Sequence, residues 1–297
     1  MADKNILHMV TPLKHISPFD VNMAVDAGYD VVFPYTDVKL EEISGLVQDA
    51  IFSRRPKTGA RTAMFIGGRN AALALDMLSR AKKALVPPFG ISFFADPSGS
   101  FTTAAAMVAC VEKVLKEKKQ RDLKGLKVAV FGATGVVGFS AAVIAALEGA
   151  DVTLVGYDGI KRVSDAAQEI KTRFGADVRA ADGSDDARKS EILNSAEAVF
   201  AAGRAGVQIL SKTQVAQAKR LLIAADVNAV PPSGIEGLEV NANGEELSGG
   251  ALGVGALAIG GIKYQTEFGL FQKMTTAAKP VQYDFRDAFA LARELHG

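Results

Sequence analysis

Lys127-Val-Ala-Val-Phe-Gly-Ala-Thr-Gly-Val-Val-Gly138 opens the stretch that decides the fold; an apolar helical run follows to Glu148, then Asp151-Val-Thr-Leu-Val155. A β-branched strand thus ends in a glycine turn, enters a helix and gives way to a second strand, all within roughly 30 residues. This is the sequence form of a dinucleotide-binding βαβ unit. In that reading Gly135 lets the backbone approach a pyrophosphate and Gly138 lets the helix pack closely on the strand. The phosphates then sit at the helix N-terminus, where unpaired N–H groups and the helix dipole favour negative charge. The first glycine of the usual Gly-x-Gly-x-x-Gly spacing is replaced by Ala133, with Gly132 one place earlier. A purely structural βαβ turn is the alternative.

Working outward, strand-length apolar runs recur near Val128–Phe131, Val152–Val155, Val178–Ala180, Ala198–Ala201 and Leu221–Ala225, with helical segments between them. That alternation predicts a doubly wound parallel sheet of Rossmann type over residues 121–283. Upstream, the runs Ile6–Val10, Val31–Pro34, Ala63–Ile66 and Ile91–Phe94 alternate with helical spacing over Phe19–Ala27, Leu40–Phe52 and Ala71–Ala84. An N-terminal open α/β domain over residues 1–120 is expected, with Asp37 and Asn70 as N-caps of its second and third helices. A helix from Thr102 to about Lys118 runs into the charged, glycine-ended stretch Glu117–Gly125, which reads as the domain boundary. The tail from Asp284 is amphipathic, with Phe285, Phe289, Ala292 and Leu295 on one face, and is expected to complete the first domain as residues 284–297.

The chain of 297 residues is 48% hydrophobic and 23% charged, with a formal charge of +1. Without a basic stripe, nucleic acid and anionic membrane surfaces are not expected partners. The single cysteine, Cys110, lies in an apolar run and reads as a buried structural thiol. The polar Met1–Lys4 start and the interrupted apolar runs suggest a cytoplasmic protein with no membrane span.

Residues suited to proton transfer are few. Of the three histidines, His8 lies in a strand, His296 at the terminus, and only His15 near a strand end where it could touch a ligand, a surface turn being the favoured reading there. No HExxH, CxxC or paired-histidine spacing points to a metal, and no Gly-x-Ser-x-Gly elbow to an acyl-enzyme. Hydride transfer to a nicotinamide, with the cofactor supplying the hard chemistry, fits this composition. Candidate ligand groups cluster at strand ends: Lys14-His-Ile-Ser-Pro-Phe-Asp20, Gly67-Gly68, and Asp96-Pro-Ser-Gly-Ser-Phe-Thr-Thr103. Further along stand Asp226-Val-Asn228, Pro231-Pro232, and a glycine-rich run from Gly249 to Gly261 that leads to Lys263. A ligand cleft between the domains is the expectation from this clustering. Helix caps at Asp20 and Asp96, a rigid Pro-Pro turn and close helix packing at the glycines are the structural alternatives.

These same residues resemble the methylene-tetrahydromethanopterin dehydrogenases of methylotrophic bacteria. The resemblance runs through Ile6-Leu-His-Met, Thr11-Pro-Leu-Lys-His-Ile-Ser-Pro-Phe-Asp-Val-Asn-Met-Ala, Gln48-Asp-Ala-Ile-Phe-Ser-Arg and Met64-Phe-Ile-Gly-Gly. It continues in Phe94-Ala-Asp-Pro-Ser-Gly-Ser-Phe-Thr-Thr-Ala-Ala-Ala-Met-Val-Ala, Asp226-Val-Asn-Ala-Val-Pro-Pro-Ser-Gly-Ile and Lys263-Tyr-Gln-Thr. The branch that accepts both NAD and NADP is the better match. The resemblance implies a pterin-binding domain followed by a Rossmann domain. It also implies a homo-oligomer built on trimers (a trimer or a dimer of trimers), with a role in formaldehyde-linked one-carbon metabolism. The implied reaction passes hydride from a methylene carbon between two pterin nitrogens to NAD(P). A folate carrier, or a non-catalytic NAD(P) sensor, are the competing readings. Lys263 matches the family's active-site lysine, in a positioning or field-shaping role. The expected substrate contacts are Lys14, His15, Asp20, Asp96, Ser98, Ser100, Thr102 and Thr103.

The expected cofactor contacts are Gly132, Ala133, Thr134, Gly135, Val136, Val137 and Gly138 at the turn, then Ala202, Gly203, Asp226 and Asn228. After the second strand come Tyr157, Asp158, Lys161 and Arg162. A strictly NADP-dependent branch of the family has an arginine where Tyr157 stands. Asp158 suits a ribose diol, while Lys161 and Arg162 can offset a 2′-phosphate, so use of both cofactors is expected. Solvated helix cations are the alternative for those two.

Overall fold

The structure, a computed structural model, describes residues 4–296. The elements in chain order are β1 (Ile6–Val10), α1 (Pro18–Asp26), β2 (Val31–Tyr35), α2 (Ile43–Phe52), β3 (Thr62–Ile66), α3 (Ala71–Lys83), β4 (Ser92–Ala95) and α4 (Ser100–Lys119). There follow β5 (Lys127–Phe131), α5 (Val136–Leu147), β6 (Asp151–Gly156), α6 (Lys161–Phe174), β7 (Arg179–Asp182), α7 (Asp186–Ser195), β8 (Ala198–Ala201), α8 (Lys212–Gln217) and β9 (Ile223–Asp226). The chain ends with β10 (Asn243–Glu246), β11 (Leu252–Val254), α9 (Ala256–Thr276), β12 (Gln282–Tyr283) and α10 (Phe285–His296). The α/β class expected from the sequence is the observed one.

The chain divides into two compact units, one running to Thr102 and taking in Tyr264–Leu291, the other comprising Thr103–Lys263 and the segment from Ala292 onward. These divisions fall inside α4, α9 and α10, whereas the sequence suggested cuts at the charged stretch near residue 120 and at residue 284. Apolar faces drive the difference: α4 is buried along Ala104–Val111, and α9 delivers Phe271 into the first unit's core.

The first unit has a parallel sheet ordered β12-β4-β3-β1-β2. Its core is aromatic: Phe271 lies 5.5 Å from Phe65 and 5.2 Å from Phe94, ring centre to ring centre, and all three are fully buried. Phe101 and Phe285 make a similar edge contact at 5.4 Å. Such pairs add about 1 kcal/mol each beyond the area they bury. Strand β12, which pairs with β4 through Gln282 and Tyr283, was not foreseen because two residues carry no periodicity.

The second unit has a sheet ordered β10-β11-β9-β8-β5-β6-β7, parallel except for β10. Strands β5, β8 and β9 are almost fully buried and read as continuous apolar runs, as a sheet covered on both faces requires. Cys110 is buried, and burial pushes its thiol up to about 12, so it stays protonated and inert. Arg293 on α10 makes a fork of hydrogen bonds to Glu112 (2.7 and 3.1 Å) and a third to Glu148 (2.6 Å).

Asn70 caps α3 as expected, its Oδ1 accepting from Leu73 N at 2.9 Å. Asp37 does not cap α2. It sits in a left-handed turn (φ 55°), and the helix is entered instead through a 3-10 turn at Leu40–Glu42, where the Glu42 carboxylate accepts from Lys39 N. No helix among the described residues is long and apolar enough to cross a membrane.

Candidate functional site

Among the parallel strands of each sheet the chain reverses its direction of winding once. In the first unit this happens at β1, flanked by β2 and β3; in the second it happens at β5, flanked by β6 and β8. Loops leaving adjacent strands on opposite sides of such a point diverge and leave a crevice at the strand carboxyl ends. Both units have a cavity there.

The first unit's cavity, about 380 Å³, is lined by Thr11 after β1, by Gly67, Gly68 and Arg69 after β3, by Ser98 after β4, and by the loop and first turn of α1 with His15 and Asp20. Ser17 caps that helix, its Oγ accepting from Asp20 N at 3.4 Å, and Pro18 begins it. The cap fixes Asp20 in the first turn, where the helix dipole favours a carboxylate, and leaves it 3% exposed. Ser98 occupies a left-handed conformation (φ 56°) and donates from Oγ to Gly68 O at 2.6 Å. That bond joins two of the strand-end loops on which the cavity is built.

Three of the expected substrate contacts therefore share this cavity: His15, Asp20 and Ser98. Lys14 is exposed beside it and outside its lining. Asp96 and Thr102 are placed differently from the expectation, because both are fully buried. Asp96 Oδ1 accepts from Phe101 N (2.8 Å) and Thr102 N (3.4 Å), and Oδ2 accepts from Thr102 Oγ1 (2.6 Å). Asp96 thus caps the start of α4. Ser100 is buried in the same turn, and Thr103, half-buried, falls in the second unit.

The second unit's cavity, about 650 Å³, is lined by Phe131, Gly132, Thr134 and Gly135, by Val155 and Tyr157, and by Ala202 and Gly203, with further residues from two loops. The glycine turn explains its own irregular spacing. Gly132 takes φ +76°, and a Cβ there would lie 2.2 Å from Ala202 O, so glycine is required one place early. Ala133 is buried behind it. A Cβ on Gly138 would lie 2.4 Å from Gly132 O, which is the close helix-on-turn packing read from the sequence. Gly135 is the N-cap of α5 with no side-chain cap, exposed, and followed by half-buried Val136 and Val137. The opening of this twelve-residue helix is bare backbone.

Beyond β6, Arg162 reaches back across the turn. Its Nη1 lies 3.1 Å from Asp158 Oδ2 and 3.3 Å from Tyr157 Oη, and its Nη2 lies 3.2 Å from Thr134 Oγ1. Hydrogen bonding to Asp158 and then the charge of Asp158 hold its guanidinium firmly protonated. Lys161 instead pairs with Asp165 along α6 at 3.1 Å, both side chains exposed; Asp158, Lys161 and Arg162 all lie outside the cavity's lining, and Arg162 is exposed like Lys161. The solvated reading fits Lys161; Arg162, though exposed, is tied through Thr134 to the glycine turn.

Asp226 and Asn228 also differ from the expectation. Asp226 is 1% exposed, and its carboxylate accepts from Asn228 N (2.9 Å) and Ile235 N (3.0 Å). Burial pushes its pKa up, while these backbone donors pull it down. Asn228 binds Val230 N, Gly206 N and Pro232 O. The two residues fold the Asp226–Ile235 loop on itself and line neither cavity. Lys263 stands two turns into α9, half-buried. The Gly249–Gly261 run contains β11 and the start of α9. Within it, a Cβ on Gly255 would lie 2.2 Å from Glu239 O, so close packing governs that position.

Sequence reading missed Arg69 in the first cavity and Gly183, Ser184, Lys189 and the Arg204–Ile209 loop in the second. Arg69 adjoins the Gly67-Gly68 pair already singled out, and that was its available signal. Lys189 reaches the cavity from α7, its Nζ donating to Ile209 O at 3.1 Å and pairing with Asp186 at 3.2 Å. No local pattern announces such a contact.

A doubly wound sheet with a bare glycine turn at its switch point defines a protein of the dinucleotide-binding Rossmann class. Quinate dehydrogenase from Corynebacterium glutamicum in complex with NAD shares this fold at TM-score 0.56 and 14% identity, over 98% of this chain and 99% of that one. Residues 18–98 match the family described as methylene-tetrahydromethanopterin dehydrogenase, N-terminal. The whole chain is similar to the NAD(P)-dependent methylenetetrahydromethanopterin dehydrogenase of Methylorubrum extorquens, 54% identical over 295 residues and 99% of each chain. It is also similar to the bifunctional protein MdtA of that organism, 35% identical over 279 residues and 94% of each. The chain belongs to the methylene-tetrahydromethanopterin dehydrogenase family.

Proposed function

We propose that the protein oxidises N5,N10-methylene-tetrahydromethanopterin to the methenyl form, with NAD or NADP as hydride acceptor. The observation that carries this reading is the 54% identity over nearly the full length of an NAD(P)-dependent relative of that activity. The residues present fit a dinucleotide. Gly135 leaves the start of α5 open, and Gly132 and Gly138 close the turn beneath it to a degree that no side chain would permit.

The N–H groups at Val136 and Val137, at the opening of α5, would receive the pyrophosphate, aided by the helix dipole, while Gly135, whose own N–H donates to Gly132 O at 2.9 Å, keeps the approach clear of a side chain. Arg162 and Asp158 flank the adenosine ribose, the first suited to a 2′-phosphate and the second to a free diol. When bound, the nicotinamide supplies a hydride acceptor at C4. In the first unit, buried Asp20 accepts hydrogen bonds from the donor edge of the pterin, with His15 and Ser98 at the walls. Lys263 acts on the field around the reacting ring. No general base is required of the chain, because the carbon loses hydride and the two adjoining nitrogens of the substrate share the resulting positive charge.

The protein works in the cytoplasm in this reading, supported by its buried, unpaired cysteine, and as a homo-oligomer built on trimers. The direct test is the rate of NAD(P)H formation with the methylene forms of tetrahydromethanopterin and tetrahydrofolate. Higher kcat/KM with the methanopterin carrier is expected; equal or better efficiency with folate would overturn the choice of substrate.

A further inference from the structure

Arg69 is the one charged residue of the first cavity besides Asp20, and the two sit at opposite degrees of exposure. Asp20 is buried, whereas Arg69 is exposed and makes no hydrogen bond or ion pair among the described residues. Most exposed cations owe their position to chance, but the backbone carrying Arg69 is fixed on both sides. Before it, Gly67 N donates to Val10 O at 2.9 Å and Gly68 O accepts from Ser98 Oγ at 2.6 Å. Gly68 takes φ +130°, and a Cβ there would press on the Pro12 ring at 3.3 Å, so the strand-end turn admits little but glycine. After it, Asn70 is locked as the N-cap of α3 through Leu73 N. The chain thus presents an uncompensated guanidinium from a rigid turn into a cavity that already has a carboxylate at its buried end. Lys14, exposed on the facing loop, adds a second cation beside the mouth.

We propose that Arg69 binds the acidic tail of the one-carbon carrier and sets the enzyme's discrimination between tailed and tail-less pterins. This rests on the assignment of the first cavity to the carrier. The polarity of the cavity matches such a ligand. A pterin head is rich in N–H donors and calls for a buried acceptor, which Asp20 supplies. An anionic tail stays hydrated and calls for a cation at the surface. Arginine suits that place because its planar fork grips a carboxylate or phosphate by two parallel hydrogen bonds while remaining charged. Being at the rim, the contact contributes to binding the carrier and leaves the hydride step alone.

The test compares Arg69→Met with the native enzyme, using the intact methylene carrier and a carrier cut back to the arylamine ring that holds the second nitrogen. The quantity read is the ratio of kcat/KM for the intact to the truncated carrier. Arg69→Met should lower this ratio about ten-fold, the worth of a hydrogen bond to a charged group, with the change in KM and not in kcat. Arg69→Lys should recover part of it, and added salt should depress the native ratio more than the variant's. An unchanged ratio in Arg69→Met overturns the proposal. Asp20→Asn separates this failure from failure of the cavity assignment: a raised KM for both carriers supports the assignment, and an unaltered KM for both defeats it together with the proposal.

Discussion

Gly138→Ala and Gly135→Ala make a pair that separates what the glycine turn does for the fold from what it does for the ligand. A methyl group on Gly138 would lie 2.4 Å from Gly132 O, 2.8 Å from Gly132 C and 3.0 Å from Ala133 Cα. All three are backbone atoms, so no side chain can rotate away, and ordinary contact begins only at 3.4 Å. Helix α5 and the turn must therefore part by about 1 Å. Overpacking of this kind costs about 1–3 kcal/mol of stability, and a displacement of about 1 Å in a positioning element costs about a hundred-fold in kcat/KM. On Gly135, by contrast, the methyl would meet Gly132 O at 3.2 Å, which a shift of a few tenths of an ångström relieves, and Ala202 O at an ordinary 3.9 Å, and the backbone there is ordinary extended. The empty turn tolerates it; a pyrophosphate lying against that backbone does not. Urea unfolding and titration with NADH and NADPH, followed by nucleotide fluorescence, read the two effects separately. Gly138→Ala should lower both the unfolding midpoint and the dinucleotide affinity. Gly135→Ala should keep the midpoint and lose the affinity. If Gly135→Ala bound both nucleotides like the native protein, the phosphates would not lie at this turn.

Three further outcomes follow from particular contacts. Arg162→Met should lower the ratio of kcat/KM for NADP to that for NAD roughly ten-fold, since the guanidinium now held by Asp158, Tyr157 and Thr134 is the cation proposed to meet a 2′-phosphate; a constant ratio would move the adenosine subsite elsewhere. Lys263→Ala should reduce kcat about a hundred-fold with dinucleotide affinity preserved, whereas a lowered unfolding midpoint with kcat intact would make Lys263 structural. Burial, and secondarily the charge of Arg54, hold His8 below its usual 6.5, with Nδ1 3.0 Å from Tyr35 Oη. The unfolded chain then takes up this proton first, so the stability it contributes is full above 6.5 and is lost as pH falls through the folded value. Urea midpoints between about pH 7.5 and about pH 5 should decline less steeply in His8→Gln; parallel declines would place the acid sensitivity in other groups.

Local chemistry was legible in the sequence where one residue type is the only solution. Gly138 and the Asn70 cap are such places, and so are the β-branched runs of β5 and β8, which declare themselves as buried strands. Reading failed where the direction a side chain faces decides what it does. Asp96 and Asp226 stand at strand ends like binding carboxylates, yet each is consumed by backbone N–H groups of its own loop. A sequence shows the acceptor and not the direction it faces. Arg69 and Lys189 are the converse: ordinary surface cations in the text, placed at a cavity only by the turn or helix that carries them. The boundaries of the two units were hidden for a similar reason, since α4, α9 and α10 are continuous helices whose two ends serve different cores.

On the proposed mechanism the chain binds and orients two reactants for a direct hydride transfer and supplies no base. That mechanism is tested most directly with a carrier dideuterated at the methylene carbon, turned over in ordinary water. The reduced nicotinamide isolated afterwards should contain one deuterium at C4, and the solvent none. Deuterium released to water, with protium at C4, would mean that a base on the protein removes the proton, and would contradict it.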